Sequence, residues 1–201
     1  PGFEADDIIG TLAQKGAKAG YRVVIVSGDK DMMQLVTPEV QMLDTMKNKW
    51  FGAKEVEEKF GVPPEKVIEV MGLMGDSSDH IPGVKGVGPK TATELIQKYG
   101  SIDELYNCID EIEKKKLKEK LVHDKELALL SRKLVTIDTT MKLDCSLGDL
   151  KVRPYKNEDL KKLFSEFEFS SMLAGLEDSD GESGEESKEF KEFIKQNYET
   201  V

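Results

Sequence analysis

The segment from Asp76 to Lys90 joins two carboxylates to a glycine-rich turn, and it constrains the fold more than any other stretch of the sequence. It reads Asp-Ser-Ser-Asp-His-Ile-Pro-Gly-Val-Lys-Gly-Val-Gly-Pro-Lys. Closely spaced glycines let a backbone turn tightly and approach a ligand without interference from a Cβ atom. Pro89 suits the first turn of a helix, whose N-terminal amides attract phosphate. The segment therefore predicts a hairpin that leads into an amphipathic helix over residues 91–99.

The glycine pattern by itself has two ordinary interpretations. A dinucleotide-binding fingerprint is excluded, because the spacing is Gly-x-x-Gly-x-Gly and no strand precedes it. A plain connection between two helices would explain the glycines equally well. The acidic residues upstream favour a functional role over a plain connection.

Three acidic clusters stand at the ends of predicted elements. Acids at helix starts and turns are common, because capping and the helix dipole favour them, so each cluster alone is ordinary. Three clusters with serine and glycine around them are more than a charged surface usually offers. They comprise Glu4, Asp6 and Asp7 at a helix start, Asp29 and Asp31 after a strand, and Asp76 and Asp79 before the hairpin.

These carboxylates predict a site for divalent cations. Mg²⁺ and Mn²⁺ prefer hard oxygen ligands, and a pair of such ions clamps both oxygens of an in-line displacement at phosphorus. Several chain segments must contribute, because no single helical turn surrounds two ions. The same crowding of like charges is expected to destabilise the metal-free protein.

The first third of the chain predicts an α/β arrangement. Residues 1–13 have the pattern of a helix with acids in its first turn, and residues 21–26 that of a strand buried on both faces of a parallel sheet. Residues 40–45 predict a second strand. Asp29 and Asp31 follow the first strand, at the edge where open α/β sheets keep their ligand sites. From residue 53 onward the pattern is helical.

The segments around the acidic clusters resemble the 5′ nuclease domain of bacterial DNA polymerase I, which belongs to the flap-endonuclease-like family. The similar segments are 2–13, 27–35 and 74–92, and the resemblance extends in order from residue 1 to about residue 177. It implies metal-dependent hydrolysis of DNA phosphodiesters at 5′ ends and flaps during replication and repair. It also implies two or more Mg²⁺ or Mn²⁺ ions as cofactors.

The resemblance assigns roles to individual residues. All seven acids of the three clusters would be metal ligands, and the catalytic set would be Asp7, Asp29, Asp31, Asp76 and Asp79. The hairpin would bind duplex DNA through Gly83, Lys85, Gly86, Gly88, Lys90 and Thr91. Backbone carbonyls of Leu73, Met74, Pro82, Val84 and Val87 would hold a monovalent cation such as K⁺.

The expected fold class is α/β, with a partial Rossmann-like sheet of the PIN and flap-endonuclease type followed by an all-helical helix-hairpin-helix region. The expected divisions are residues 1–72 for the nuclease core, 73–176 for the DNA-binding region, and 177–201 for an acidic linker and the start of a following domain. The family's first strand and helical arch precede the motif at Glu4. The expected partners are therefore that N-terminal part, the following polymerase domains, and double-stranded DNA with a 5′ flap or nick.

The net charge of −10 argues at first against a nucleic-acid partner. Residues 177–201 hold nine acids against three lysines, so the remaining chain carries 30 acids against 26 bases. The lysine-rich segment 109–121 predicts mainly a solvated helix face, with DNA contact as the less favoured interpretation. No apolar run approaches membrane-spanning length, so we expect no membrane partner and a cytoplasmic, nucleoid-associated location.

Two other functions fit the same residues. In one, the hairpin binds DNA and the acids have no catalytic role, which makes the chain a non-catalytic helix-hairpin-helix DNA-binding module. In the other, the chain is part of a stand-alone 5′ nuclease. The acidic linker, with apolar residues returning from Phe190, favours the polymerase context over the stand-alone one.

Overall fold

The structure is a computed structural model that describes residues 2–152 and 156–178, with side chains described as far as residue 176. The chain divides into two compact units, Pro1–Asp149 and Leu150–Val201. Most of the acidic linker expected at residues 177–201 lies outside the described residues. Its first two residues belong to a helix, Ser170–Asp178, so that regular structure continues slightly further than predicted.

A small mixed sheet follows the first helix, α1 (Ala5–Lys18). Strand β1 (Val23–Val26) pairs in parallel with β2 (Val40–Asp44), which pairs antiparallel with β3 (Lys49–Phe51). Strands β1 and β2 confirm the two strands predicted at residues 21–26 and 40–45. The third was not expected from the sequence, because a run of three residues is too short to show alternation.

The expectation that the first strand is buried on both faces is wrong. Ile25 is buried, but Val26 is 62% exposed. Within the described residues β1 is an edge strand that pairs with β2 alone, so it lacks a neighbour on its other side. A short 3-10 helix, Lys30–Leu35, follows it.

The helical region begins where the pattern predicts. Gly61 ends α2 in the left-handed conformation, and Pro89 is the first residue of α4, as expected of these residue types. None of the described helices is both long enough and apolar enough to cross a bilayer. The helices of this region are α2 (Ala53–Phe60), α3 (Val67–Met74), α4 (Pro89–Tyr99), α5 (Ile102–Asn107), α6 (Lys115–His123) and α7 (Lys125–Val135).

Helix α3 is the centre of this region and packs against α4 and α7. Met71 and Leu73 are fully buried. A Cβ atom at Gly72 would lie 2.9 Å from Cβ of Arg132, so glycine lets α3 approach α7 closely. The predicted boundary between residues 72 and 73 lies inside α3 and stays a prediction.

The extended segment after α7, residues 136–141, forms hydrogen bonds with residues in the first third of the chain. Asp138 N donates to Asp7 Oδ1 at 2.8 Å, and Ile137 N donates to Gln34 Oε1 at 3.0 Å. Gln34 also donates to the carbonyls of Asp31 and Val135. The helical region thereby holds both the start of α1 and the 3-10 helix that carries Asp31.

The second unit contains α8 (Asn157–Glu166) and α9 (Ser170–Asp178). Phe169 lies between them, with ring centroids 6.3 Å from Phe164 and 5.9 Å from Phe167. Taken together, the small sheet and the helices that follow it confirm the α/β-plus-helical fold class.

Candidate metal centre and DNA-binding hairpin

Acids from two of the three clusters meet at one point. Asp31, at the start of the 3-10 helix, and Asp76 and Asp79, in the loop after α3, each place a carboxylate oxygen within 4.8 Å of the others. Asp76 is buried, whereas Asp79 is exposed. Asp31 is 45 residues before Asp76 in the chain, so only the packing of α3 beside the 3-10 helix brings it to the other two acids.

Asp31 is the most electrostatically strained member of the group. Burial, reinforced by the charges of Asp29 and Asp76, raises its pKa from the ordinary 3.8 to about 7. Its Oδ1 atom is buried and has no hydrogen-bond partner among the described residues. A buried carboxylate oxygen without a donor is costly unless a cation satisfies it.

The pKa of Asp76 is shifted in the opposite direction to that of Asp31. Burial alone would raise its pKa, but hydrogen bonds from Lys30 and Ser78 outweigh that effect and lower it to about 2. Ser78 donates to Oδ1 through its backbone N at 2.9 Å and through its hydroxyl at 2.5 Å. Lys30 Nζ lies 2.5 Å from Oδ2. Asp76 is therefore ionised at neutral pH.

The loop that carries Asp76 and Asp79 is closed on itself. Asp76 N donates to Ile81 O at 2.9 Å, and Ile81 N donates to Asp76 O at 2.7 Å. His80 adopts φ +58°, a left-handed conformation that few non-glycine residues accept. The two backbone hydrogen bonds fix the ends of the loop, and so they limit where Asp79 can project.

The acids at the start of α1 take two different positions. Burial raises the pKa of Asp6, and the charge of Asp29 is the next largest cause, with Asp79 among the further contributors. Asp6 therefore belongs to the same electrostatic neighbourhood as the metal candidates. Asp7, by contrast, accepts backbone hydrogen bonds from Glu4 N at 3.0 Å and from Asp138 N at 2.8 Å.

These observations place every predicted metal ligand. Asp29 is exposed, and its Oδ1 accepts from Asp31 N at 2.9 Å, which caps the 3-10 helix. Glu4 is exposed at the N-cap of α1. The candidate metal centre consists of Asp31, Asp76 and Asp79, with Asp6 and Asp29 beside it. Both carboxylate oxygens of Asp7 instead accept hydrogen bonds from backbone N–H groups.

The hairpin of residues 83–88 is anchored from three sides. Gly83 N donates to the buried Ser131 Oγ at 2.9 Å, Val84 N to Leu73 O at 2.8 Å, and Lys85 N to Asp124 Oδ2 at 2.9 Å. Val84 and Val87 are buried in the core. The turn therefore presents a fixed backbone rather than a flexible loop.

The predicted DNA-binding residues divide by exposure. Lys85, Gly86, Gly88 and Lys90 are exposed, and Thr91 is half-buried. Gly83 is buried with its N–H already used, so its part is structural. Gly88 is the N-cap of α4 and has no side chain to satisfy the first amides of the helix.

Lys120 of α6 lies at the hairpin, whereas the sequence favoured a solvated helix face for the whole lysine-rich segment 109–121. A Cβ atom at Gly86 would overlap Lys120 Nζ, so this ammonium of α6 lies directly over the turn. Its neighbour Lys118 instead pairs with Asp110, at 2.6 Å between Nζ and Oδ1. No local pattern distinguishes these two lysines, because the choice depends on how α6 packs against the hairpin.

The carbonyls expected to hold a monovalent cation are partly engaged. Leu73 O accepts from Val84 N at 2.8 Å, and Val84 O accepts from Val87 N at 3.0 Å. A carbonyl has two lone pairs, so these bonds leave acceptor capacity. Met74, Pro82 and Val87, the other three residues of that set, lie in or next to the hairpin, and the cation site stays a prediction.

Comparisons with known proteins match the chain to two family models and to curated relatives. Residues 1–61 match the family described as "5′-3′ exonuclease, N-terminal resolvase-like domain", and residues 62–158 match "5′-3′ exonuclease, C-terminal SAM fold". DNA polymerase I of Bacillus subtilis is 40% identical over 99% of this chain and 23% of its own length. Flap endonuclease Xni of Sodalis glossinidius is 43% identical over 76% of this chain and 60% of its own length.

The chain is also similar in structure to solved 5′ nucleases. The T5 5′-exonuclease with bound divalent metal ions (zinc) superimposes with a TM-score of 0.64 at 26% identity, over 69% of this chain and 51% of that one. The bacteriophage T5 flap endonuclease, in a pseudo-enzyme–product complex with DNA and metal ions, gives a TM-score of 0.62 at 26% identity, over the same shares. The chain thus spans about a quarter of the polymerase relative's length and little more than half of the nucleases'.

Proposed function

The chain belongs to the 5′-3′ exonuclease family, and on this premise we propose that it forms part of the 5′ nuclease of a DNA polymerase I. The reaction is metal-dependent hydrolysis of DNA phosphodiesters at 5′ ends and flaps. The observation that carries the proposal is the meeting of Asp31, Asp76 and Asp79 next to an anchored glycine hairpin. Carboxylates alone would fit any cation site, but the adjoining hairpin adds a surface for phosphate.

The centre fits Mg²⁺ or Mn²⁺ chemically. Its metal-binding atoms are all carboxylate oxygens, which these ions prefer. One of them, Asp31 Oδ1, is buried and accepts no hydrogen bond from the described residues. Asp31, Asp76 and Asp79 would hold one ion, and Asp6 and Asp29 lie where they would support another. Bound divalent ions supply charge neutralisation at the scissile phosphate and an activated water molecule.

The protein's own contribution is to position the DNA and to keep the acids together. Three lysines lie in or near the hairpin and would contact backbone phosphates: Lys85, Lys90 and Lys120. Such contacts fix the position of a duplex without reading its sequence. No described side chain caps the N-terminus of α4, so its first backbone amides would contact further phosphates of the DNA. K⁺ held by the hairpin carbonyls would add a positive charge at this point.

The substrate would be double-stranded DNA with a 5′ flap or nick. In the intact protein the chain would work with an N-terminal nuclease part and with polymerase domains that follow. With such a substrate, the protein would work at the bacterial nucleoid, in the cytoplasm.

The first test is titration of the chain with Mn²⁺ while its melting temperature is measured. We expect Mn²⁺ to raise the melting temperature of the wild-type chain, and the double variant Asp76→Asn/Asp79→Asn to lose that response. Glu94→Gln, which removes an exposed acid on α4, is the matched control and should respond as wild type does. An unchanged response in the double variant would contradict the metal centre.

The second test is cleavage of a 5′-flapped duplex in Mg²⁺ or Mn²⁺, with and without the N-terminal part of a relative's nuclease domain. Cleavage that requires Asp76 and Asp79 supports the proposal. Binding of the duplex without a metal response or cleavage would instead indicate the non-catalytic helix-hairpin-helix module, because that function needs only the hairpin.

A further inference from the structure

Lys30 places a positive charge inside the acidic centre. It lies between Asp29 and Asp31 in the sequence, and its Nζ is 2.5 Å from Asp76 Oδ2. The side chain of Asp76 is 3% exposed and that of Lys30 is 34% exposed, so the contact joins a buried carboxylate to an ammonium that still reaches solvent. The hydrogen bond to Asp76 raises the pKa of Lys30 against the opposing effect of burial.

The ammonium lies against the Asp76 oxygen that has no hydrogen-bond partner among the described residues, so the two form a charge contact. Ser78 donates twice to Oδ1, which leaves Oδ2 to Lys30. Asp31 and Asp79 also act on Lys30, because their charges favour its protonated form. In the metal-free chain, Lys30 thus neutralises part of the charge that three neighbouring carboxylates would otherwise leave uncompensated.

A divalent ion and this ammonium compete for the same oxygen. A divalent ion lies roughly 2.0–2.6 Å from a carboxylate ligand. An ammonium 2.5 Å from that oxygen would then stand within about 5 Å of the ion, where two cations repel strongly. Lysine is well hydrated on a flexible four-carbon stem, so it can withdraw to solvent when the ion enters.

We propose that Lys30 is a built-in counter-ion, which occupies the acidic centre of the metal-free protein and is displaced when a divalent cation binds Asp76. The inference rests on the proposed metal centre. Lys30 lowers the affinity of that centre for metal and stabilises the fold while no metal is bound. A purely structural ion pair would do only the second of these.

The test compares Lys30→Met with wild type and with a matched control. Lys47→Met is the control, since Lys47 Nζ lies 2.8 Å from Oδ2 of the equally buried Asp44, outside the group formed by Asp31, Asp76 and Asp79. Both substitutions remove one positive charge and one lysine–aspartate pair. Mn²⁺ affinity is measured by titration calorimetry, and melting temperature is measured with a chelator and with saturating Mn²⁺.

We expect Lys30→Met to bind Mn²⁺ roughly tenfold more tightly than wild type, which is the scale of removing one nearby, partly buried charge. Its melting temperature should fall in the chelator and recover in saturating Mn²⁺, because the metal replaces the missing cation. Lys30→Arg, which keeps the charge, should bind Mn²⁺ more weakly than Lys30→Met. Lys47→Met should keep the wild-type affinity, and its loss of melting temperature should not depend on Mn²⁺.

Two results would overturn the inference: an affinity of Lys30→Met equal to or weaker than that of wild type, or a melting-temperature deficit that Mn²⁺ does not repair. Each would leave the metal centre standing, since wild type would still bind Mn²⁺. If wild type and Lys47→Met bind no Mn²⁺ at all, the metal centre fails and the inference fails with it.

Discussion

Gly83 packs directly against the backbone of Gly75, so the loop of Asp76 and Asp79 and the hairpin of residues 83–88 share one junction. Both glycines have positive φ, +58° for Gly83 and +69° for Gly75. A Cβ atom at Gly83 would overlap the backbone nitrogen of Gly75, and one at Gly75 would lie 2.5 Å from Ile81 O. The positions of the acids and of the hairpin are therefore coupled through a contact that only glycine permits.

Gly83→Ala should destabilise the chain strongly. The added methyl group meets backbone rather than a movable side chain, and the residue must also keep φ +58°. We expect the free energy of unfolding to fall by about 3 kcal/mol or more, as measured by urea denaturation. Gly88→Ala is the control, since φ there is −96° and no described atom lies within 4 Å of an added Cβ. Alanine is a poorer N-cap residue than glycine, so this change should cost about 1 kcal/mol or less. Equal losses would contradict the prediction.

Asp124→Ala should weaken DNA binding even though it removes a negative charge. Asp124 is buried, and its carboxylate accepts from Lys85 N at 2.9 Å and contacts His123 Nδ1 at 2.6 Å. Without this anchor the hairpin loses its fixed position, and we expect about a tenfold loss of affinity for a duplex, measured by fluorescence anisotropy. Asp110→Ala removes an exposed acid of the same region and should not weaken binding. If charge alone matters, both variants will bind DNA more tightly.

Lys120→Ala should weaken duplex binding and reduce its salt dependence, whereas Lys118→Ala should leave both unchanged. Lys120 Nζ lies over Gly86 of the hairpin, while Lys118 is paired with Asp110. The loss of one phosphate contact lowers the slope of log K against log salt by about 0.9. Titrations at several salt concentrations measure that slope. A larger change for Lys118→Ala than for Lys120→Ala would refute the assignment.

Asp31→Asn should stabilise the metal-free chain, and increasingly so as pH rises. The pKa of Asp31 is about 7 in the folded chain against an ordinary value of 3.8, so the folded state binds this proton more tightly than the unfolded state does. Stability attributable to Asp31 therefore falls as pH rises from about 4 to about 7. The asparagine variant does not titrate, so its advantage over wild type should grow between pH 5 and pH 8.

With allowance for partial exposure, we expect that advantage to be on the order of 1 kcal/mol at pH 8, measured by denaturation in the presence of a chelator. The same variant should show a smaller rise in melting temperature with Mn²⁺, because it removes a ligand. Glu94→Gln provides the reference for removal of an exposed acid. An advantage that does not change with pH would show that Asp31 is not the group that titrates.

Local patterns were enough to locate most helices. Gly61 and Pro89 mark the end of α2 and the start of α4, because their backbone preferences act on their own positions whatever the rest of the chain does. By contrast, β3 and the exposure of β1 depend on which strands pair, and pairing brings together residues that are far apart in the sequence. A four-residue apolar run is the same in an edge strand and in a central one.

By itself, the sequence determined which chemical groups the site has: three acidic clusters, a glycine hairpin and the lysines around it. Tertiary structure alone decided that Asp31 meets Asp76 and Asp79, that Asp7 serves the backbone, that Lys30 enters the acidic centre and that Lys120 covers the hairpin. The physical reason is that residue type sets charge and local conformation, whereas the direction of a side chain on a turn is set by the contacts of distant segments packed against it.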